Sequence, residues 1–306
     1  MKRIYSFLLL LLLTIGASAQ KKSVFIYAGQ SNADGREHTV NLPDYLKNGG
    51  SLPSSPYLHL KYVNVTGNPS ASAFGTRTFN SGERYAFCDI VNYWIDQAES
   101  QDFYAIKCAL GGTAISPEVT EARLPVWYAD AEWLKTHQAY KGDDITQEAF
   151  ANNNSLTKNL TEGFASLVDG TLAAIDGGYD VKAILWHQGE GDRKASASYY
   201  DNFKTMIAYM RQAIYEKTGD EADLSLPFIF GTQCHRSRQY NATVEAAQKR
   251  VAAEDPNCYV IDMKDATLLS DKLHFDRQAT EYLGTTMYNL LVDLKLVDGK
   301  KRILSK

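Results

Sequence analysis

The stretch "SVFIYAGQSNADG", residues 23 to 35, decides how the rest of the chain is read. An apolar run rises to Ala28 and breaks into Gly29-Gln30-Ser31-Asn32. A run of this length, rich in β-branched and aromatic residues and apolar at nearly every position, reads as a strand buried on both faces. The turn after it is either an ordinary strand-to-helix connection or one that presents Ser31 as a nucleophile. The second reading requires partners, and they must come from elsewhere in the chain.

Four further runs have the same character: "DFYAIKCAL", "VKAILWHQG", "LPFIFGTQC" and "CYVIDM". Amphipathic helical stretches lie between them: "GERYAFCDIVNYWIDQAES", "SLTKNLTEGFASLVDGTLAAID", "SASYYDNFKTMIAYMRQAIYEKTG", "ATVEAAQKRVAAED" and "RQATEYLGTTMYNLLVDL". Strand alternating with helix predicts a doubly wound α/β/α sandwich on a mostly parallel, five-stranded sheet, with right-handed crossovers. One domain over residues 20–306 is the economical division. Two segments break the rhythm. Residues 36–82 carry Pro, Gly, Ser and Tyr with little periodicity, and residues 114–150 carry Trp127, Tyr128, Trp133 and Tyr140. Both come after strand C-terminal ends, where open α/β sheets place their ligand crevice.

Composition narrows the function classes. The chain has 306 residues, 44% hydrophobic and 22% charged, enough for a large buried core. Its net charge is -4 and no basic block comes after the N-terminal segment, which leaves a nucleic-acid partner without electrostatic support. "MKRIYSFLLLLLLTIGASAQ" has a basic n-region (Lys2, Arg3), a leucine-rich h-region and Ala17-Ser18-Ala19 as a small-x-small cleavage signal. Its apolar run is short against the roughly 20 residues a membrane span needs. Residues 1–19 therefore read as a signal peptide cleaved near Ala19-Gln20, and the mature protein as exported, with no membrane span. No cysteine comes after the h-region to take a lipid. The four cysteines, Cys88, Cys108, Cys234 and Cys258, match no zinc spacing and read as buried core thiols. If a bridge exists in an oxidising compartment, Cys88–Cys108 is the candidate pair.

A serine hydroxyl becomes a useful nucleophile only when a positioned base removes its proton. Of six histidines, His38, His59 and His137 fall in the irregular segments and read as surface residues. His187 and His235 stand at strand ends, with packing or a structural hydrogen bond as their ordinary roles. His274 lies in "LLSDKLHFDRQAT", the loop between the last strand and last helix, with Asp271 three residues before it. In a turn, that spacing lets the carboxylate reach the imidazole, fix its tautomer and stabilise its charged form. Acyl transfer also needs donors for an oxyanion. The candidates are the Ser31 backbone N–H, the Gly111-Gly112 pair in "ALGGTAI", and the Gln188 amide in "WHQGEGD". No metal or cofactor is called for. The elbow lacks the second glycine of G-x-S-x-G, and its serine comes first in the chain, both unlike α/β-hydrolases.

In combination, "GQSN", "GGT", "WHQGEGD" and the closing "DKLH" resemble the SGNH-hydrolase superfamily. The narrower resemblance is to its sialate O-acetylesterase-like group, which includes acetylxylan esterases of carbohydrate esterase family six. The resemblance runs in motif order from about residue 23 to 290. It implies Ser31 as nucleophile, His274 as base, and Ser31, one of Gly111 and Gly112, and Gln188 as oxyanion hole. The third triad member is Asp271 by the D-x-x-H pattern, or Glu190 as in some relatives described with the Glu of Q-G-E. Otherwise Glu190, like Asp192, braces that turn. Relatives commonly carry an apolar residue after G-Q-S-N, whereas this chain has Ala33-Asp34. The implied reaction is hydrolysis of O-acetyl esters on an oligo- or polysaccharide, acetylated xylan or sialic acid, through an acetyl-enzyme. The aromatic insertions would then stack on sugar rings, or simply pack their own loops. Two rivals are a general acyl esterase or thioesterase and a catalytically silent carbohydrate-binding protein on the same scaffold.

Overall fold

Strand β1, Lys22–Gly29, occupies the middle of the sheet in a computed structural model that describes residues 21–53, 55–64, 74–119, 125–140 and 158–303. The signal-peptide reading of residues 1–19 lies outside the described residues. Five more strands complete the sheet: β2 (Leu60–Asn64), β3 (Phe103–Ala109), β4 (Tyr179–His187), β5 (Phe228–Gly231) and β6 (Cys258–Ile261). Their order is β6-β5-β4-β1-β3-β2, and every pairing is parallel. Five of the six are the apolar runs of the sequence. The sixth, β2, corrects the expected five-stranded sheet: it extends the edge beyond β3 from inside the first irregular segment.

Side chains alternate across β1, so each face gains its own core. Val24, Ile26 and Ala28 pack on one face with residues of α2 (Leu160–Leu172), α3 (Tyr199–Thr218) and α4 (Ala242–Glu254). Phe25 and Tyr27 pack on the other with α1 (Phe87–Asp96) and α5 (Arg277–Asp293). This is the three-layer doubly wound arrangement that a run of two-faced buried strands requires. Helix starts are fixed by side-chain caps. Asn159 accepts from the N–H groups of Thr161 and Glu162, Asn241 from Thr243 and Val244, and Asp276 from Ala279. Such a cap contributes about 1 kcal/mol.

All four cysteines are free and buried. Cys88 belongs to the core under α1 and Cys108 to the core on the opposite face, which excludes the candidate pairing between them. The aromatics of the second insertion are divided. Trp127 is fully buried, edge-on to Trp186 of β4 at 5.0 Å, and Tyr140 is buried too, so both belong to the core. Trp133 stacks on His137 with ring centroids 3.8 Å apart. No helix among the described residues is long and apolar enough to cross a membrane.

Candidate active site

The β1 turn is locked residue by residue. Gly29 has φ +133°, and a Cβ there would fall on the carbonyl oxygen of His187, so β1 and β4 can approach this closely only through glycine. The Gln30 N–H donates to that same carbonyl at 2.9 Å, and Gln30 Oε1 accepts from the Gly191 N–H at 3.1 Å. Asn32 reaches two ways: its Nδ2 donates to Glu190 Oε1 at 3.2 Å, and its Oδ1 accepts from the Phe275 N–H at 3.0 Å. One four-residue turn is thereby tied to the loop after β4 and to the loop after β6. Ser31 between these anchors begins a single helical turn, Ser31–Asp34.

Ser31 lines a cavity of about 390 Å³ together with Gln30, Arg36, Gly112, Val119, Gly191, Arg193, Gln239, Leu273 and His274. These residues come from the loops after β1, β3, β4, β5 and β6. The cavity therefore sits at the carboxyl ends of the strands, where β1 lies between β3 and β4. Among the described residues, the backbone N–H groups of Ser31 and Gly112 donate to no other protein group.

His274 is held by its own loop. Its Nδ1 lies 2.6 Å from Asp271 Oδ2, while Asp271 Oδ1 accepts from the N–H groups of Leu273 (2.9 Å) and His274 (3.0 Å). Lys272 takes φ +54°, which folds the chain tightly enough for a D-x-x-H pair to close on itself. Partial burial works to raise the Asp271 pKa. The hydrogen bonds from the His274 backbone and ring and from the Leu273 N–H outweigh it, holding the carboxylate below its usual range.

The Q-G-E-G-D loop is arranged differently. Gln188 is fully buried, and its Nε2 donates to Asp192 Oδ2 at 2.6 Å and to the Thr113 carbonyl at 3.3 Å. Its Oε1 accepts from the Tyr199 hydroxyl. The expectation that its amide faces an oxyanion is corrected: both amide hydrogens are taken by the scaffold, and Gln188 does not line the cavity. Asp192 also accepts from the N–H groups of Ile115 and Ser116, pinning the start of the second insertion. Burial nevertheless raises its pKa to about 6, against the three hydrogen bonds. Glu190 is buried on Asn32 and has no hydrogen bond to His274. Gly191 is required here because a Cβ would meet the Thr113 carbonyl at 2.5 Å.

The other histidines fall away from the cavity. His187 is fully buried, its Nε2 3.3 Å from the Thr232 carbonyl, and burial lowers its pKa despite Glu190 nearby. His235 is exposed and pairs with Glu245 at 2.9 Å. His38, His59 and His137 do not line the cavity, nor do Trp127, Tyr128, Trp133 and Tyr140. Arg36 and Arg193 do line it, and neither carried a signal in the sequence: Arg36 is a lone basic residue in its loop and Arg193 is paired in sequence only with Lys194. No group of His, Cys, Asp and Glu among the described residues is arranged to hold a metal ion.

A doubly wound parallel sheet with a serine turn after its first strand and a histidine loop after its last has the architecture of the SGNH hydrolases. Residues 134–293 match the family model described as "Carbohydrate esterase, sialic acid-specific acetylesterase", and the chain belongs to that family. The matched span includes Gln188, Glu190, Asp192, Asp271 and His274, and excludes Ser31. No curated protein matches the chain. Among solved structures, NanS is similar at TM-score 0.60 and 13% identity, covering 91% of this chain and 99% of that one. A protein from Arabidopsis thaliana is similar at 0.56 and 17%, covering 90% and 99%. A carbohydrate acetylesterase from Xanthomonas citri reaches 0.50 and 18%, covering 88% of this chain and 55% of its own. At such identities the likeness concerns the fold.

Proposed function

We propose that the protein is an exported serine esterase that removes O-acetyl groups from carbohydrate, its signal peptide cleaved near Ala19-Gln20 and residues 20–306 acting as one domain. The observation that carries the reading is one cavity lined by both Ser31 and His274, with Asp271 on Nδ1 of the imidazole. With Nδ1–H donated to Asp271, Nε2 is left as the base. It takes the Ser31 proton as Oγ attacks the acetyl carbon. The carbonyl electron pair moves onto oxygen, where the Ser31 and Gly112 N–H groups are available as donors. Collapse of the tetrahedral intermediate breaks the bond to the sugar oxygen, which takes the proton from His274. Water then repeats the sequence on the acetyl-serine and releases acetate.

In this reading Asp271, not Glu190, orients the base. The carbohydrate leaving group rests on family membership, whose description favours O-acetylated sialic acid over acetylated xylan. Turnover of 4-nitrophenyl acetate by the wild type and by Ser31→Ala tests the chemistry: a loss on the order of 10⁶-fold is expected. Equal rates would overturn it. Acetate release from O-acetylated sialic acid and from acetylated xylan then separates the two substrates.

A further inference from the structure

Gln188 faces the scaffold, which leaves the cavity without its expected side-chain donor, and Arg36 lines the cavity with Ser31. Its Nη1 is fully engaged, donating to Asp34 Oδ2 at 2.6 Å and to the Gly35 carbonyl at 2.7 Å. Those two bonds hold the guanidinium fork in one orientation. The loop that makes them is anchored in turn, since buried Lys107 donates through Nζ to the Asp34 carbonyl at 2.5 Å. Nη2 makes no hydrogen bond to any protein group among the described residues and reaches across to Gly111. A Cβ on Gly111 would collide with Nη2, and the same point lies 3.5 Å from Ser31 Cβ. The missing side chain of Gly111 is therefore the space that lets a guanidinium N–H stand beside the nucleophile.

We infer that Arg36 is a catalytic residue: its Nη2–H donates to the acetyl oxygen as that oxygen becomes negative, completing a hole begun by the Ser31 and Gly112 N–H groups. The inference rests on the esterase reading above. No proton leaves Arg36, because a guanidinium stays charged throughout. As the Ser31 Oγ–carbon bond forms, the carbonyl electron pair becomes an oxyanion beside a fixed positive group. As the intermediate collapses, the pair returns and the sugar oxygen departs with the His274 proton. A donor already held by Asp34 and Gly35 needs no reorganisation when the charge appears, which is what makes such donors effective. The assignment also divides the labour of the glycine pair. Gly111 makes room for Arg36, and Gly112, at φ +82°, lines the cavity itself.

The test uses 4-nitrophenyl acetate, a neutral ester that offers no anionic group for a substrate-binding arginine. Arg36→Gln is expected to lower kcat about 10²–10³-fold with KM within a few-fold of wild type, the range for loss of one oxyanion donor. Arg36→Lys, which keeps a charge but not the fork, should fall between. Gly111→Ala should approach the Arg36→Gln value by pushing the guanidinium aside, and it serves as the deciding variant if Arg36→Gln fails to fold. A phenylboronic acid that forms a tetrahedral adduct on Ser31 should bind the Arg36→Gln protein more weakly by a similar factor. Unchanged kcat in both Arg36→Gln and Gly111→Ala would overturn the assignment. So would a defect confined to the KM of acetylated anionic sugars, which would make Arg36 a substrate-binding residue. Ser31→Ala run alongside separates the two readings: if it retains wild-type activity the esterase proposal fails, whatever Arg36 does.

Discussion

The loops after β4 and β6 carry much the same chemistry and use it in opposite ways. "WHQGEGD" holds two carboxylates, an amide and an imidazole, all buried: Gln188 and Asp192 hold each other and the start of the second insertion, and Glu190 holds Asn32. "DKLH" holds one carboxylate and one imidazole at the surface of the cavity, where His274 is reachable and Asp271 contacts only its own loop. A buried polar group is costly to leave unpaired, and each side chain of the first loop has at least one partner in the frame, although His187 Nδ1 and Glu190 Oε2 are buried without one. A partly exposed pair can exchange a proton with a substrate. The richer motif is thus the structural one, and in the proposed mechanism the sparser motif carries the reaction.

Exchanging the acids one at a time is the strongest way to break that contrast. Asp271→Asn should lower kcat on the order of 10⁴-fold while the fold is retained, because the amide cannot orient His274 in the tautomer the reaction needs. Glu190→Gln should cost less than about tenfold in kcat and appear instead as lowered thermal stability. Kinetics and melting curves of the two proteins side by side would assign the orienting acid to Glu190 if the pattern came out reversed.

A smaller effect concerns Asp192. Its pKa is raised to about 6 in the folded chain, above its unfolded value near 4. Between those values the folded state binds more protons, so this group's contribution to stability is complete below about pH 4 and falls away as pH rises through about 6. The stability gap between wild type and Asp192→Asn, which loses an acceptor but has no carboxylate to ionise, should narrow from pH 4 to pH 7. A gap that widens over that range in denaturant titrations would mean the hydrogen bonds, not burial, set the pKa.

The smallest effect expected is at Trp133. Because it stacks on His137 and does not line the cavity, Trp133→Ala should change KM for an acetylated sugar by less than about twofold. A larger rise would return the second insertion to a role in sugar binding.

The central strands were legible because parallel strands covered on both faces need continuous apolar runs, and those runs stand out. β2 was not: "LKYVN" is five residues at the sheet edge inside a stretch rich in Pro, Ser and Tyr, where no long apolar run is needed. The D-x-x-H pair was legible because its geometry is local, closed within four residues by the Lys272 turn. Gln188 was legible as a motif position but not in its direction, which is set by Asp192 in its own loop, by Thr113 after β3 and by Tyr199 at the start of α3. Arg36 had no pattern at all. Its position depends on the absence of a side chain 75 residues later, at Gly111. Trp127 looked available to a ligand until Trp186 of β4 came beside it.

The hydrogen bond from the Phe275 N–H to Asn32 spans 243 residues. Its two ends leave the ribosome at nearly opposite ends of synthesis, with four strands of the sheet still to come after the Ser31 turn and β2. A growing chain can present that turn early, but in the proposed mechanism it has no base to activate the hydroxyl until the His274 loop has emerged and docked. Contacts of such long sequence separation carry a large loop-closure entropy that must be met before they stabilise the fold. If Ser31 and His274 react as proposed, the nascent polypeptide is chemically silent by construction, and hydrolytic competence arrives only with the last strand and helix.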